Sequence, residues 1–339
     1  MNIKNRTAGS FARCQRKSCQ QISCQHKSFR HIFFLAGCCC CLLLALAPPA
    51  PAIRRAMTGA MSSDKTNLDK TNLLETGSGI IKPAGAPATA TPDEIKIVSY
   101  NMRWRGGDEL RELIGLLRDD SQIGGAAVIG LQEADRNKGR TDRINTARVM
   151  ADALGMHYAW AAPPRANSEQ SEDETGVAIL SRYPLSDVER IVLPHEGPGH
   201  RRRVALGATV RLGATDVRVY TIHAETRVAM EKKMDQLRAV LTDLEQYPRI
   251  ERVVVLGDFN TIKHKDVVGA RRIFEAAGFA TPFKDGQATW RTFIIKLKLD
   301  WLWLRGFETS ASGIARQVEM SDHWPLWVTV KFKLDKGRG

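Results

Sequence analysis

Polar side chains that could do hydrolytic chemistry stand where apolar segments of this chain end. In residues 253–260, three consecutive valines and a leucine are followed by Gly257, Asp258, Phe259 and Asn260. The β-branched run predicts a buried strand, and ligand sites in α/β sheets lie at such strand ends. For this segment alone, a strand closed by an Asp-rich turn is the alternative. Other predicted strand ends carry comparable groups, namely Asn101, Glu133, His223, Asp300, Asp322 and His323.

If these strand ends meet on one rim, the cluster contains carboxylates, carboxamides and imidazoles. Oxygen ligands without cysteine suit Mg²⁺ or Mn²⁺ rather than zinc. Two histidines beside carboxylates suit proton transfer. The anionic oxygens of a phosphate need the cation and the hydrogen-bond donors that such a cluster supplies.

Strand and helix patterns must position these groups. Patterns with apolar residues at helical spacing predict helices around residues 110–117, 144–154, 230–244 and 264–277. Apolar runs predict strands at residues 95–101, 126–133, 176–182, 253–258, 299–304 and 325–332, and a hairpin formed by residues 204–212 and 217–222. Because helices separate some strands and hairpins join others, we predict one domain over residues 93–334, with two sheets covered by helices.

Seven short motifs occur in order over about residues 95–332. They are Ser99-Tyr100-Asn101, Gln132-Glu133, residues 176–182, Ile222-His223, Gly257-Asp258-Phe259-Asn260, Leu299-Asp300-Trp301 and Ser321-Asp322-His323. Each motif is weak singly, but the ordered set resembles the endonuclease/exonuclease/phosphatase superfamily. The resemblance implies a four-layer α/β sandwich, in which two packed mixed β-sheets are flanked by helices. It also implies Mg²⁺-dependent (or Mn²⁺-dependent) hydrolysis of a phosphate ester by in-line attack of water.

The same resemblance implies a metal site. Glu133 is its expected principal ligand, Asn101 its support, and Asp322 a further or alternate ligand. Without the resemblance, these positions would be interpreted as a solvated loop glutamate, an Asx turn and a turn residue before the last strand.

Five residues receive catalytic roles from the resemblance. His323 is expected to act as general base or as an imidazole that stabilises the phosphate, with Asp300 holding its tautomer. Asp258 would orient or deprotonate the attacking water, a role that it shares with His323. Asn260 would hydrogen-bond the phosphate, and His223 would donate to a non-bridging oxygen.

The front of the chain has the composition of a targeting segment. Residues 1–56 carry nine Lys or Arg, no Asp or Glu, and all seven cysteines of the chain. An apolar run of 16 residues, 32–47, predicts a signal or membrane anchor, hence a periplasmic, extracellular or membrane-tethered protein. A mis-assigned start at Met57 or Met61 is the alternative. Residues 57–92 are rich in small and polar residues and are predicted to be a flexible linker.

The substrate is the least determined property. After the leader, 41 basic and 37 acidic residues leave a net charge of only +4, which does not favour strong non-specific DNA binding. Residues 199–203 could bind phosphate or start a solvated hairpin. Five clustered tryptophans could stack on a ligand or pack between layers, namely Trp290, Trp301, Trp303, Trp324 and Trp327. A nucleic acid, a phospholipid headgroup or a small phosphodiester therefore remain candidate substrates of a monomeric enzyme. The alternatives are a sphingomyelinase- or phosphoinositide-phosphatase-like enzyme, a non-catalytic binding module on the same fold, and a scaffold tethered to the membrane by lipidated leader cysteines.

Overall fold

The structure is a computed structural model and describes residues 72–79, 91–165 and 173–332. The strands are β1 Leu74–Ser78, β2 Glu94–Asn101, β3 Val128–Arg136, β4 His157–Ala161, β5 Glu174–Ser181, β6 Leu185–Val192, β7 Val204–Leu212, β8 Thr215–His223, β9 Arg252–Asp258, β10 Trp290–Arg291, β11 Lys296–Leu297, β12 Asp300–Arg305, β13 Phe307–Ile314 and β14 Leu326–Phe332. The α-helices are α1 Gly107–Asp119, α2 Thr146–Leu154, α3 Met230–Leu244 and α4 His264–Ala276.

Two mixed sheets form the centre of the fold. One has seven strands in the order β1-β4-β5-β3-β2-β14-β13, and the other has five in the order β12-β9-β8-β7-β6. Parallel pairs occur once in each sheet, between β2 and β3 and between β8 and β9. The prediction of two packed mixed sheets flanked by helices is confirmed.

Three apolar clusters separate the four layers. Strand β9 shows how one run of apolar residues serves two of them, because successive side chains point to opposite faces of a sheet. Val254 and Leu256 join the cluster between the sheets, whereas Val253 and Val255 join the cluster beneath α3 and α4. The third cluster packs α1 and α2 against the seven-stranded sheet. A strand buried on both faces needs no polar alternation, which explains its sequence.

The helices bury the stripes that their sequences predict. In α1, the buried side chains are Leu110, Leu113, Ile114 and Leu117. The N-cap of α2 is Asn145, whose side chain accepts a hydrogen bond from the backbone N–H of Arg148, as capping asparagines do. None of the helices in the described part of the chain is long and apolar enough to cross a membrane.

One stretch of the predicted linker is a strand instead. The prediction for residues 57–92 is wrong over β1, which pairs antiparallel with β4 at the edge of the seven-stranded sheet. Within β1, Glu75 accepts hydrogen bonds from the Tyr158 hydroxyl at 2.7 Å and from Arg136 at 3.3 Å. The strand is held by partners far away in the sequence. Its residues therefore need not follow the apolar pattern that predicts a strand. The leader 1–56 and most of the remaining linker lie outside the described residues.

The sheets approach each other closely at Gly130 in β3. A Cβ atom at this position would lie 2.0 Å from Cδ1 of Leu256 in β9, and that leucine is wholly buried. The contact therefore requires a residue without a side chain, since a packed core resists added volume.

We expect Gly130→Ala to lower the free energy of unfolding by about 1–3 kcal/mol, because the added methyl group overfills this contact. Urea denaturation measures the loss. Gly139→Ala is the matched control, because the Cβ that alanine would add there has no described atom within 4 Å outside its own stretch of chain. If the losses in Gly130→Ala and Leu256→Ala simply add in the double variant, Leu256 is not the residue that excludes the side chain.

Candidate active site

The central strands of both sheets deliver polar residues to one rim. Strand β2 ends at Asn101, and β8 and β9 end side by side at His223 and Asp258. Asp300, the first residue of β12, lies opposite Asp258 in antiparallel register. Across the two sheets, Nδ2 of Asn101 donates to Oδ2 of Asp258 at 3.1 Å. The predicted convergence of these strand ends therefore occurs.

His323 forms a buried pair with Asp300. Its Nδ1 lies 2.9 Å from Oδ2 and 3.1 Å from Oδ1 of Asp300. Because an ionised carboxylate can only accept, Nδ1 carries a hydrogen and donates it. The other ring nitrogen, Nε2, lies 3.8 Å from Oδ2 of Asp258. An isolated bridge between His323 and Trp290 connects this histidine to β10.

The groups around the Asp258 carboxylate have opposing effects on its pKa. Burial raises its pKa to about 7, and repulsion by Asp300 and Glu133 acts in the same direction while His323 opposes it. For His323, burial disfavours the imidazolium, but the charges of Asp300 and Asp258 outweigh burial and raise its pKa to about 9. Burial and the positive charge of Arg203 hold the pKa of His223 well below its ordinary value. One imidazolium and one neutral imidazole thus flank Asp258, with Nε2 of His223 3.6 Å from Oδ2.

Glu133 reaches the site from a β-bulge, not from a strand end. The prediction that this strand closes at Glu133 is wrong, since β3 continues to Arg136 and its register with β5 shifts between Gln132 and Ala134. The bulged residue has φ of +58°. Bulges re-aim side chains beside active sites. Here the glutamate lines the cleft, with Oε1 3.3 Å from Nδ2 of Asn101.

Asn260 holds a tight turn after β9. Its φ is +52°, and its backbone N–H donates to Oδ1 of Asp258 at 3.0 Å. Nδ2 donates to the carbonyl oxygen of Ala224 at 2.9 Å, and the buried Lys233 donates to the carbonyl oxygen of Asn260. An amide nitrogen has two hydrogens, so one remains for a ligand.

Asp322 lies in the same cleft but its carboxylate has other partners. Oδ2 accepts a hydrogen bond from Nε1 of Trp290 at 3.1 Å and lies 3.5 Å from a guanidinium nitrogen of Arg103. Its role as a metal ligand stays a prediction.

The cleft that joins these residues has a volume of about 400 Å³. Trp104 also lines the cleft, although the sequence motifs did not single it out three residues after Asn101. The guanidinium groups of Arg103 and Arg140 lie over its ring, 5.3 and 4.1 Å from the ring centroid. Trp290 was named only as part of the tryptophan cluster. The cleft is lined by Arg103, Trp104, Glu133, Arg203, His223, Thr226, Asp258, Asn260, Ile262, Trp290, Leu297, Leu299, Asp322 and His323.

Contacts bear on two predictions from the sequence, those for residues 199–203 and for the clustered tryptophans. In the segment 199–203, Arg201 and Arg203 both pair with the buried Glu225, at 3.0 and 3.1 Å, so this carboxylate offsets one of their two positive charges. Phosphate binding by this segment stays a prediction. Trp301 and Trp303 are wholly buried and stack 5.1 Å apart. Trp301 and Trp303 therefore pack between layers rather than binding a ligand.

The donor set fits a divalent cation. Ligand atoms of Asp258, Asp300 and His323 all lie within 4.8 Å of one another in the described part of the chain. His323 donates its Nδ1–H to Asp300, so the groups that suit a cation here are the carboxylate oxygens, with the Glu133 carboxylate in the same cleft. The raised pKa of Asp258 shows that its negative charge is disfavoured without a counter-charge, and a cation beside it would relieve this repulsion. A hard cation suits these oxygens.

The family is established by sequence comparison. A model of the endonuclease/exonuclease/phosphatase family matches residues 98–323, and the chain belongs to this family of phosphoesterase hydrolases. No curated protein sequence matches the chain.

Solved structures share the fold at low identity. An endonuclease/exonuclease/phosphatase from Beutenbergia cavernae is 19% identical, covers 71% of this chain and 72% of its own, and has a TM-score of 0.57. ANGEL2, a 2',3'-cyclic phosphatase in complex with adenosine-2',3'-vanadate, is 14% identical with coverages of 71% and 96% and a TM-score of 0.54. The human Nocturnin catalytic domain with bound sulfate is 17% identical with coverages of 76% and 98% and a TM-score of 0.54.

We expect Asp300→Asn to lower the pKa of His323 from about 9 by about one unit or more, because the paired negative charge is removed. NMR titration of the metal-free protein measures this shift. In the wild type the raised pKa adds stability that is present below pH 6.5 and lost as the pH rises through about 9, so unfolding should depend less on pH in the variant. The control is Asp235→Asn, which removes the partner of surface His195. An unchanged His323 pKa in Asp300→Asn would contradict the assigned pairing.

Proposed function

We propose that this enzyme is a Mg²⁺-dependent hydrolase that cleaves phosphodiester bonds by in-line attack of water. The observation that carries the proposal is the convergence of the His323–Asp300 pair, Asp258 and Glu133 in one cleft. Charge that builds on the phosphoryl oxygens needs hydrogen-bond donors and a cation placed in advance, and these residues would supply the donors and the oxygens to hold a cation.

Glu133 and Asn101 would hold the cation, with Asp322 of the same cleft as a further ligand. Bound there, Mg²⁺ or Mn²⁺ supplies Lewis-acid stabilisation of a phosphoryl oxygen. The oxygen-rich donors favour these ions over zinc.

The electrostatics separate the roles of Asp258 and His323. A pKa of about 9 keeps His323 protonated near neutral pH, so its Nε2–H is a donor to a phosphoryl oxygen rather than a base. Asp258, with a pKa of about 7, is the acceptor of the proton from the attacking water. Asp300 holds the His323 ring, while neutral His223 and the carboxamide of Asn260 donate to non-bridging oxygens.

Space on both sides of the cleft favours a diester. A second cleft shares Trp104, Glu133 and Arg203 with the first and has a volume of about 480 Å³. A third shares Arg103 and Asp322 and has a volume of about 650 Å³. A phosphodiester carries groups on two of its oxygens, and these spaces would receive them. The adenosine-2',3'-vanadate complex of ANGEL2 supports a related chemistry by likeness of fold.

We expect His323→Ala and Glu133→Ala each to lower kcat/KM at least about a hundredfold on a generic phosphodiester, the usual effect of losing such a group. A chain beginning at Met57 is assayed with Mg²⁺, Mn²⁺ or EDTA, and EDTA should abolish turnover reversibly. His195→Ala is the control, because this histidine pairs with Asp235 away from the cleft. Unchanged turnover in either site variant removes that residue from the mechanism.

The same assay identifies the substrate class. Supercoiled plasmid, abasic DNA, sphingomyelin and phosphoinositides distinguish a nuclease from a lipid phosphoesterase. Activity that persists in EDTA would contradict metal dependence, and activity on monoesters alone would contradict the diester.

We also propose that the enzyme is a monomer that is exported or anchored through residues 32–47, supported by their apolar run behind a basic segment. We expect cell fractionation to find the full chain in the membrane or outside the cytoplasm, and a chain beginning at Met57 inside it. Recovery of both in the cytosol would exclude export. Sedimentation velocity tests the monomer.

A further inference from the structure

The hairpin of β10 and β11 ends in an exposed apolar tip. Phe293, Ile294 and Ile295 are 104, 83 and 47% exposed. The other exposed large apolar residues in the described ranges are single and less exposed, at 37–39% for Leu74, Ile262 and Val268. Contiguous apolar surface of this kind marks an interaction site, because water disfavours it.

The tip has a defined shape. Its turn is closed by a hydrogen bond from the backbone N–H of Thr292 to the carbonyl oxygen of Ile295 at 2.7 Å. The N–H of Ile295 also donates to the hydroxyl of Thr292 at 3.1 Å. The three apolar side chains are therefore presented together on a narrow, convex structure.

Cationic side chains surround the base of this tip. Arg103, Arg105, Arg291 and Lys296 line the cleft of about 650 Å³ beside Phe293. Three of these cations are ion-paired, Arg103 with Asp322 at 3.5 Å, Arg105 with Glu109 at 2.8 Å and Arg291 with Glu319 at 2.7 Å. Lys296 is the fourth, so the rim is weakly basic rather than strongly charged. Apolar residues ahead of a basic rim match the order of a bilayer surface, in which anionic headgroups cover hydrocarbon.

The hairpin is continuous with the catalytic cleft. At its base, the N–H of Arg291 donates to the carbonyl oxygen of Asp322 at 2.9 Å. Trp290 donates to the carboxylate of the same residue. A surface that binds the tip would therefore lie beside the cleft.

We propose that the hairpin tip, residues 292–295, inserts into the interfacial region of a lipid bilayer with anionic headgroups. Two of its three apolar side chains are isoleucines, and these have no aromatic face to stack on a nucleotide base. Their transfer from water into hydrocarbon is favourable. Single-stranded nucleic acid is therefore disfavoured as the occupant. This membrane contact is separate from the leader and does not depend on the catalytic proposal.

Hydrogen exchange of the full chain tests the proposal, since it reports local contact even when the leader is also membrane-bound. Vesicles of phosphatidylcholine with phosphatidylglycerol should slow exchange in residues 292–296 by about tenfold, and pure phosphatidylcholine should slow it less. The double variant Ile294→Ser, Ile295→Ser, which leaves the cleft-lining Phe293 in place, should lose the protection. The double variant Leu74→Ser, Val268→Ser should keep it, because it removes exposed apolar residues elsewhere.

Unchanged exchange at the tip in the presence of vesicles would overturn the proposal. So would protection by a single-stranded oligonucleotide in place of vesicles. Both double variants should hydrolyse a water-soluble phosphodiester like the wild type, so failure of the hairpin proposal is distinguishable from failure of the proposed function.

Discussion

The buried carboxylate of Asp258 is the constraint on which the site depends. It stands at the end of a central strand, out of water, and Asn101, His223 and His323 surround it. A charge in that position is costly unless opposite charge or hydrogen bonds compensate it. The imidazolium of His323, a shared proton or a divalent cation can each do so, which makes the same residues suited to phosphate chemistry.

Irregular backbone at two positions directs side chains of the site into the cleft. Glu133 and Asn260 both adopt positive φ, at +58° and +52°. Asparagine tolerates this conformation, whereas for glutamate it costs about 1–3 kcal/mol. The three apolar clusters, one of them between the two packed sheets, hold the surrounding backbone in place. Stability gained in the core thus supports strain at the rim, where the bulge and the turn redirect side chains into the cleft.

Charge is arranged differently in the cleft and outside it. Arg201 and Arg203 share the carboxylate of Glu225, and their positive charges lower the pKa of the neighbouring His223. On the other side, the apolar hairpin tip and its basic rim meet solvent. The enzyme therefore combines a compensated interior with a surface that suits an anionic, partly apolar partner.

The sequence by itself determined the periodic elements and which residues to expect at the site. Runs such as residues 253–258 and the stripe of α1 follow from burial, which leaves a local pattern, and the ordered polar motifs named Asn101, Glu133, His223, Asp258, Asn260, Asp300, Asp322 and His323. Only the tertiary structure decided that β1 is a strand, that Glu133 lies in a bulge, that Trp104 faces the cleft and that Trp290 holds Asp322. These features arise from partners far apart in the chain, and contacts of that kind leave no periodic signal in the residues that make them.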